Sequence, residues 1–248
     1  MLEQPLHQPA CDFFSLQNRQ YPRNSSLELV GNRYRLSRMQ RQLLHRGVFD
    51  GARSRCRRAK RLLGSTWQLS LLMVDGYNVQ ITVESAILER QLLLANDGAL
   101  RDLAGQSARF RHSDTSQLAL QAIFRFLKAF PPREVVFLFD RPMSHSGWLA
   151  EYVREQLKTH GLNGDARTAA VPEREFLYQQ GVVASSDQAV IDASSSWLDL
   201  ARRVIDWAGW RWSVTDFRCL SGDIFAARGL PRGRLWDSML LVKKDLLC

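Results

Sequence analysis

Three aspartates follow three short apolar runs: Asp75 after LLMV, Asp140 after VVFLF and Asp187 after VVASS. If the runs are parallel strands, all three carboxylates emerge at the carboxyl edge of one sheet, where open α/β folds bind ligands. Acids gathered there repel one another unless a cation sits among them. Oxygen-only clusters suit Mg²⁺ or Mn²⁺, which keep several water ligands and bridge to phosphate oxygens. A metal held in that way stabilises charge on a phosphodiester during in-line attack by water. Asp75, Asp140 and Asp187 are therefore candidate metal-binding and catalytic residues, with Asn78 as a candidate for orienting water or phosphate. Asp192, five residues after Asp187, is a further candidate ligand, and Glu84, Asp97 and Asp102 are reserve acids. Each acid also has an everyday explanation: Asp75-Gly76 as a turn, Asp140 as a cap before Pro142, and Asp187 as a helix N-cap.

Ser144-His145-Ser146-Gly147 lies at an expected helix start, where Ser144 and Ser146 would offer hydroxyls and backbone N–H groups to a phosphate. Plain capping is the alternative. The chain carries no GxSxG elbow, Walker A loop or GxGxxG turn, so serine hydrolase, ATP and NAD chemistries lose support.

The acids need elements to position them. Leu69–Val74 reads as a strand, and Val79–Val83 and Gln91–Ala95 are β-prone, with Asn96-Asp97-Gly98 as a turn signal. A helical stripe from Ser116 to Phe130 stops at Pro131-Pro132. Val135–Phe139 is a strand, Ser146 opens a helix, Arg167–Val171 is a short strand, Gly181–Ala184 leads to Asp187, and Trp197–Ala208 forms an amphipathic helix. This alternation predicts a mostly parallel α/β sheet with helices on both faces.

The chain falls into a small basic helical N-terminal module over 1–63, an α/β domain over 64–210 and a tail over 211–248 without a sustained period. Residues 1–30 are polar and punctuated by prolines, with Phe13, Phe14, Leu16 and Tyr21 as a small apolar anchor. Ser37 caps a short helix, and Ala52–Leu63 is helix-compatible but too basic to be core. Of the net charge of +9, the stretch from Gly31 to Leu62 alone carries +10, from eleven Lys/Arg against Asp50. A local Arg-rich patch attracts polyanions by counterion release. Arg33, Arg35, Arg38, Arg41, Arg55, Arg57 and Arg58 are the candidate nucleic-acid-binding residues; the alternative is a solvated face, or one docked on the chain's own acids.

Four scattered cysteines without a CxxC pair argue against a zinc site or disulfide framework. No apolar run is long enough for a membrane helix and the N-terminus does not read as a secretory signal, so a cytoplasmic protein is expected.

The stretch Cys11–Phe49, with YPRNSSLELVGNRYRLSRMQRQLLHRGVF, resembles domain-of-unknown-function family 434. VDGYNVQITVESAI, LANDGALRDLAG, FLFDRPMSHSG and VVASSDQAVID resemble the C-terminal domain that accompanies that family. VDGYNV is also similar to the opening of the NYN branch of PIN-like ribonucleases. That resemblance implies a Rossmann-like, PIN-like fold and a metal-dependent cut in RNA, with Asp75, Asn78, Asp140 and Asp187 at the matching positions. It also implies a helix after Asp75, where VQITVE reads more as strand. The close family has Asp-Asp-Gly where this chain has Asn96-Asp97-Gly98.

The leading expectation is a divalent-metal-dependent nuclease acting on RNA. The rivals are a non-catalytic nucleic-acid-binding protein and an enzyme on a small phosphorylated metabolite.

Overall fold

The computed structural model describes residues 4–103, 113–143, 146–170, 175–176 and 180–221. Four helices come first: α1 (Gln4–Asn18), α2 (Arg23–Arg33), α3 (Arg38–Gly47) and α4 (Gly51–Ala59). This is the helical N-terminal module that the sequence predicts, and α1 runs through Pro9. Ser37 starts α3 with a complete capping box to Gln40, and Asp50 starts α4 by accepting from the Arg53 N–H.

The α/β part runs β1 (Leu71–Asp75), α5 (Gly76–Ile87), β2 (Leu92–Leu94), β3 (Leu100–Asp102), α6 (Asp114–Ala129), β4 (Glu134–Asp140), α7 (Ser146–Thr159) and β5 (Gly164–Ala169). It continues with β6 (Val182–Ala184), α8 (Gln188–Ala193), β7 (Trp197–Leu198), α9 (Leu200–Ala208) and β8 (Val214–Asp216). The main sheet has the order β5-β4-β1-β6-β7, and each adjacent pair is parallel. This is the mostly parallel, helix-covered α/β sheet that the sequence predicts. Alternate residues divide its faces as the two-residue strand period requires. Leu72, Val74, Val135, Phe137 and Phe139 enter the large core with α5, α6, α7 and α9, while Met73, Val136, Leu138 and Val183 face Phe176 and Val190 of α8.

Three local expectations are corrected. Val79–Val83 is helix, not strand. Asp75 caps α5 by accepting from the Asn78 N–H, and Tyr77, Val79, Gln80, Thr82, Val83, Ser85 and Ala86 are all buried. A helix packed on several sides tolerates β-branched residues because tertiary burial outweighs propensity. Trp197–Ala208 divides at Asp199, whose carboxylate accepts from the Arg202 N–H and starts α9 only after β7 has paired with β6. Arg167–Val171 is shifted: β5 ends at Ala169, and Val171 lies outside the described residues.

The tail also contributes. β8 pairs with β2, which pairs with β3, to make a second sheet. Leu93 and Phe217 from that sheet region close the core of the N-terminal helices with Phe13, Leu44 and Val48. The Phe217 ring packs so closely on the Gly47 backbone that a Cβ there would lie 2.5 Å from it. Residues 222–248 lie outside the described residues.

Candidate functional site

Asp75, Asp140 and Asp187 come from β1, from β4 beside it, and from the turn after β6 on its other side. All three line one cleft of about 310 Å³ at the carboxyl edge of the sheet, with Asn78 and Ser186. The register sets their spacing. Asp75 lies level with Leu138, so Asp140 sits two residues farther along its strand. A rise of ~3.3 Å per residue and an interstrand gap of ~4.8 Å put the two Cα atoms roughly 8 Å apart. Among the described residues, no group of three or more His, Cys, Asp or Glu is drawn together tightly enough to hold a metal by itself. The acids share a cleft without forming a closed cage.

Asp75 is strongly perturbed. Its carboxyl pKa is pushed up to about 7: burial is the main cause, Asp187 and Asp140 add repulsion, and hydrogen bonds from Ser185 and Asn78 work against the rise. Ser185 Oγ donates to Asp75 Oδ2 at 2.9 Å, and the Asn78 N–H donates to Oδ1 at 3.3 Å. Asn78 Oδ1 in turn accepts from the Ser186 N–H and hydroxyl at 2.8 and 3.0 Å. The start of α5 is thereby stapled to the loop that delivers Asp187. Asp187 caps α8, one oxygen accepting from the N–H groups of Ala189 and Val190. Its capping and cleft-lining roles coexist, because a carboxylate has about four acceptor sites. Burial, then the charge of Asp140, pushes the Tyr77 phenol up to about 12, and the ring packs edge-on against Phe139, 5.3 Å between centroids. Gly76 permits this packing, since a Cβ there would lie 2.2 Å from Phe139.

Asp192 is not in the cleft. It receives Arg57 through Nε at 2.6 Å and Nη2 at 2.7 Å, a bidentate pair. Arg57 also donates to Asp97 at 2.9 Å and lies over the Phe49 ring. It is 1% exposed, so the residue expected to meet nucleic acid is instead part of the core. Arg101 grips both oxygens of Asp97 at 2.9 and 2.8 Å, and its Nε donates to the Ser186 carbonyl at 2.8 Å. Asp97, a reserve acid by sequence, is thus a fully buried ion-pair partner. Lys60 adds a bond to the Asp192 carbonyl, so α8 is held at its C-terminal end by the N-terminal module.

Of the other basic candidates, Arg33, Arg35, Arg38 and Arg55 are exposed. Arg41 is half-buried against the Leu36 carbonyl and Asn32, and Arg58 donates to the Asn96 carbonyl. Ser146 is buried and its hydroxyl donates to the Arg141 carbonyl, which ties it to the preceding turn. Ser144 lies outside the described residues. Glu84 accepts from Gln80 and does not line the cleft.

Of the opposite wall the sequence singles out Asp102 alone, as a reserve acid. His45 and Arg46 from the last turn of α3, with Arg101 and Asp102 from β3, complete the cleft lining. Arg46 Nη2 stands 3.5 Å from Asp102 Oδ1. Arg23 donates to the His45 carbonyl and, at 2.9 Å, to the Val48 carbonyl, fixing this end of α3. Burial, then Arg23 and Arg46, lowers the His45 pKa, which keeps the ring neutral. Arg46 sits unmarked among ten other cations of the basic run, and nothing in the local sequence distinguishes Arg101.

Comparison with known proteins supplies family membership. Residues 66–203 match the model of a domain of unknown function, DUF5616, and residues 5–60 match that of a protein of unknown function, DUF434. An uncharacterized protein of Methanocaldococcus jannaschii is 27% identical over 184 residues, covering 74% of this chain and 88% of its own length. No solved structure matches.

Proposed function

Given that the chain belongs to the DUF5616 family, whose matched region holds every acid of the cleft, we propose that it is a divalent-metal-dependent phosphodiesterase acting on RNA. The observation that carries this reading is the convergence of Asp75, Asp140 and Asp187, from three neighbouring parallel strand ends, on one cleft. The lining carries the acids Asp75, Asp102, Asp140 and Asp187 against Arg46 and an Arg101 already committed to Asp97, an excess of acid that a divalent cation would offset. Burial is the main cause of the raised pKa of Asp75, and the charges of Asp187 and Asp140 add to it.

The donor set fits Mg²⁺ or Mn²⁺. Such an ion takes one or two carboxylate oxygens and completes its shell with water and substrate phosphate, so a cleft with staggered acids suits it better than a closed cage would. Asp75, Asp140 and Asp187 would hold it, and it would supply charge neutralisation at the phosphate. The chain's own residues do the rest. Asn78, its carbonyl oxygen committed to Ser186, keeps its amide N–H groups to donate to water or a phosphate oxygen. Ser185 and the Asn78 N–H orient the Asp75 carboxylate. The exposed Arg33, Arg35, Arg38 and Arg55 gather the polyanion.

The open spacing of the acids gives one rival a specific footing: a protein that binds nucleic acid without cutting it. One experiment separates the two. Labelled RNA incubated with Mn²⁺ should be cleaved by the parent chain, and cleavage should fall by more than about a hundredfold in Asp75→Ala/Asp140→Ala. Replacing mere outer-shell partners of a metal costs roughly 10–100-fold, so loss of ligands should exceed that. Equal cleavage by the double variant sinks the nuclease reading.

A further inference from the structure

Asp75, Asp140 and Asp187 occupy one wall of the cleft; the opposite wall joins Arg101 and Asp102 of β3 to residues from an earlier part of the chain. His45 and Arg46 stand on the last turn of α3, in the N-terminal module. We propose that Arg46 is the phosphate-binding residue of this cleft, so that the substrate's phosphodiester is gripped between a cation of the N-terminal module and the metal-binding acids of the α/β domain. This rests on the phosphodiesterase reading and extends it to the substrate side.

Three observations support Arg46. It is held loosely: the only ion pair recorded for its side chain among the described residues is the contact with Asp102 at 3.5 Å, and the side chain is 27% exposed. A contact of that length and exposure is weak and readily exchanged for a charge-assisted bond to phosphate. The contrast with Arg101, also in the lining, is sharp. Arg101 is 1% exposed and spends its guanidinium on Asp97 and the Ser186 carbonyl, so it positions the Asp187 loop and has little left for a ligand. The platform beneath Arg46 is also rigid, because Arg23 ties down the carbonyls of His45 and Val48 and Gly47 packs directly on Phe217 and Leu93.

Size and charge describe the ligand. A cleft of about 310 Å³ lies at the small end of the range of roughly 300–1,000 Å³ for ligand pockets, room for one phosphate with its neighbouring sugar. Arg38, exposed at the other end of α3, stands ~12 Å along the helix axis from Arg46, which places a second phosphate contact outside the cleft. That spacing favours a strand over a small phosphorylated metabolite.

The test is equilibrium binding, in Mn²⁺, of a fluorescein-labelled, phosphorothioate-linked oligouridylate to the full chain, with uridine monophosphate as competitor. Arg46→Gln should weaken binding about ten- to hundredfold, the range for a lost hydrogen bond to a charged group. Arg46→Lys should recover part of it, and Arg38→Gln should cost only a few-fold. Parent-like binding by folded Arg46→Gln overturns the inference. If that variant loses its circular-dichroism signature, Asp102→Asn decides: removing the competing carboxylate should tighten binding, and unchanged or weaker binding overturns the proposal. Full competition by the monophosphate at equal concentration would assign the grip to a small phosphate and overturn the strand. A parent that binds through Arg46 yet cuts no RNA leaves the grip standing and removes the nuclease. A parent that cuts RNA with Arg46→Gln unchanged in KM removes the grip alone.

Discussion

Asp97 and Asp75 are both strongly desolvated and end in opposite states, each within its own group of aspartates. Asp97 is completely buried, yet its pKa is lowered, because Arg101 and Arg57 outweigh the desolvation that would raise it. Asp75 is pushed up to about 7 by the same desolvation, since its hydrogen-bond partners are a hydroxyl and a backbone N–H rather than a cation. In the first group two arginines meet two aspartates, Asp97 and Asp192, and the charge closes on itself. In the second, like charges face one cleft. A buried ion network that is complete holds parts together; a set of acids left in excess costs stability and waits for a ligand. The two are physically joined, because Arg101 reaches from Asp97 to the Ser186 carbonyl, next to Asp187.

The largest expected effect comes from breaking the closed group. Asp97→Asn leaves Arg57 and Arg101 facing each other without their shared anion, and should cost about 3–5 kcal/mol in urea unfolding, the range for breaking a buried pair. The loss should include both parts of the chain, because Arg57 belongs to α4 and Asp192 to α8. A loss below about 1 kcal/mol would show that the network is incidental.

The open group should respond with the reverse sign. Asp75 has a folded pKa near 7 against an ordinary value of 3.8. Between those values the unfolded chain gives up the proton while the folded chain keeps it, so this residue's contribution makes unfolding easier as pH rises from about 4 to 7, then flattens. Asp97 works the other way, its stabilisation present above the ordinary carboxylate range and lost as pH falls. Asp75→Asn removes the charge and should therefore stabilise the fold at pH 8 by about 2 kcal/mol, roughly half of what three pKa units would give without cleft water. The same variant should abolish metal-dependent cleavage. Mn²⁺ sharpens the contrast: at a hundred times its Kd it should add about 2.7 kcal/mol to the parent, and little to Asp75→Asn. Stabilisation of both alike would place the metal elsewhere.

How far the sequence discloses this division follows from what each part depends on. β1, β4 and β6 with their terminal acids are readable because apolar runs and their ends are local features, and the resemblance to family 434 and its partner domain agrees with the matched models. The fate of Asp192 and Arg57 is not readable, since they pair across 135 residues. A cation in a basic run looks like a solvated one until its partner is known. α5 is missed for a related reason: its β-branched residues read as strand, and only the cap from Asp75 and the packing around it make a helix. Arg46 and Arg101 gain their roles purely from placement.

The smallest predicted effect concerns Asn96, where the close family pattern has Asp. Were that position a metal ligand, this chain would have lost part of its site. Asn96 is instead fully buried, and it pairs with the backbone of Phe49 in both directions, Oδ1 accepting from the N–H at 3.0 Å and Nδ2 donating to the carbonyl at 2.8 Å. It does not line the cleft. A carboxylate can accept but not donate, so Asn96→Asp should lose the second bond and bury a charge beside Asp97. Arg58, already bonded to the Asn96 carbonyl, offsets part of this, and the cost should be about 1–2 kcal/mol in urea unfolding. Metal-dependent cleavage at saturating substrate should be unchanged, because the cleft acids keep their places. If instead Asn96→Asp raises the cleavage rate and tightens Mn²⁺, then the turn before β3 belongs to the open group of acids, and the boundary between the two groups must be redrawn through it.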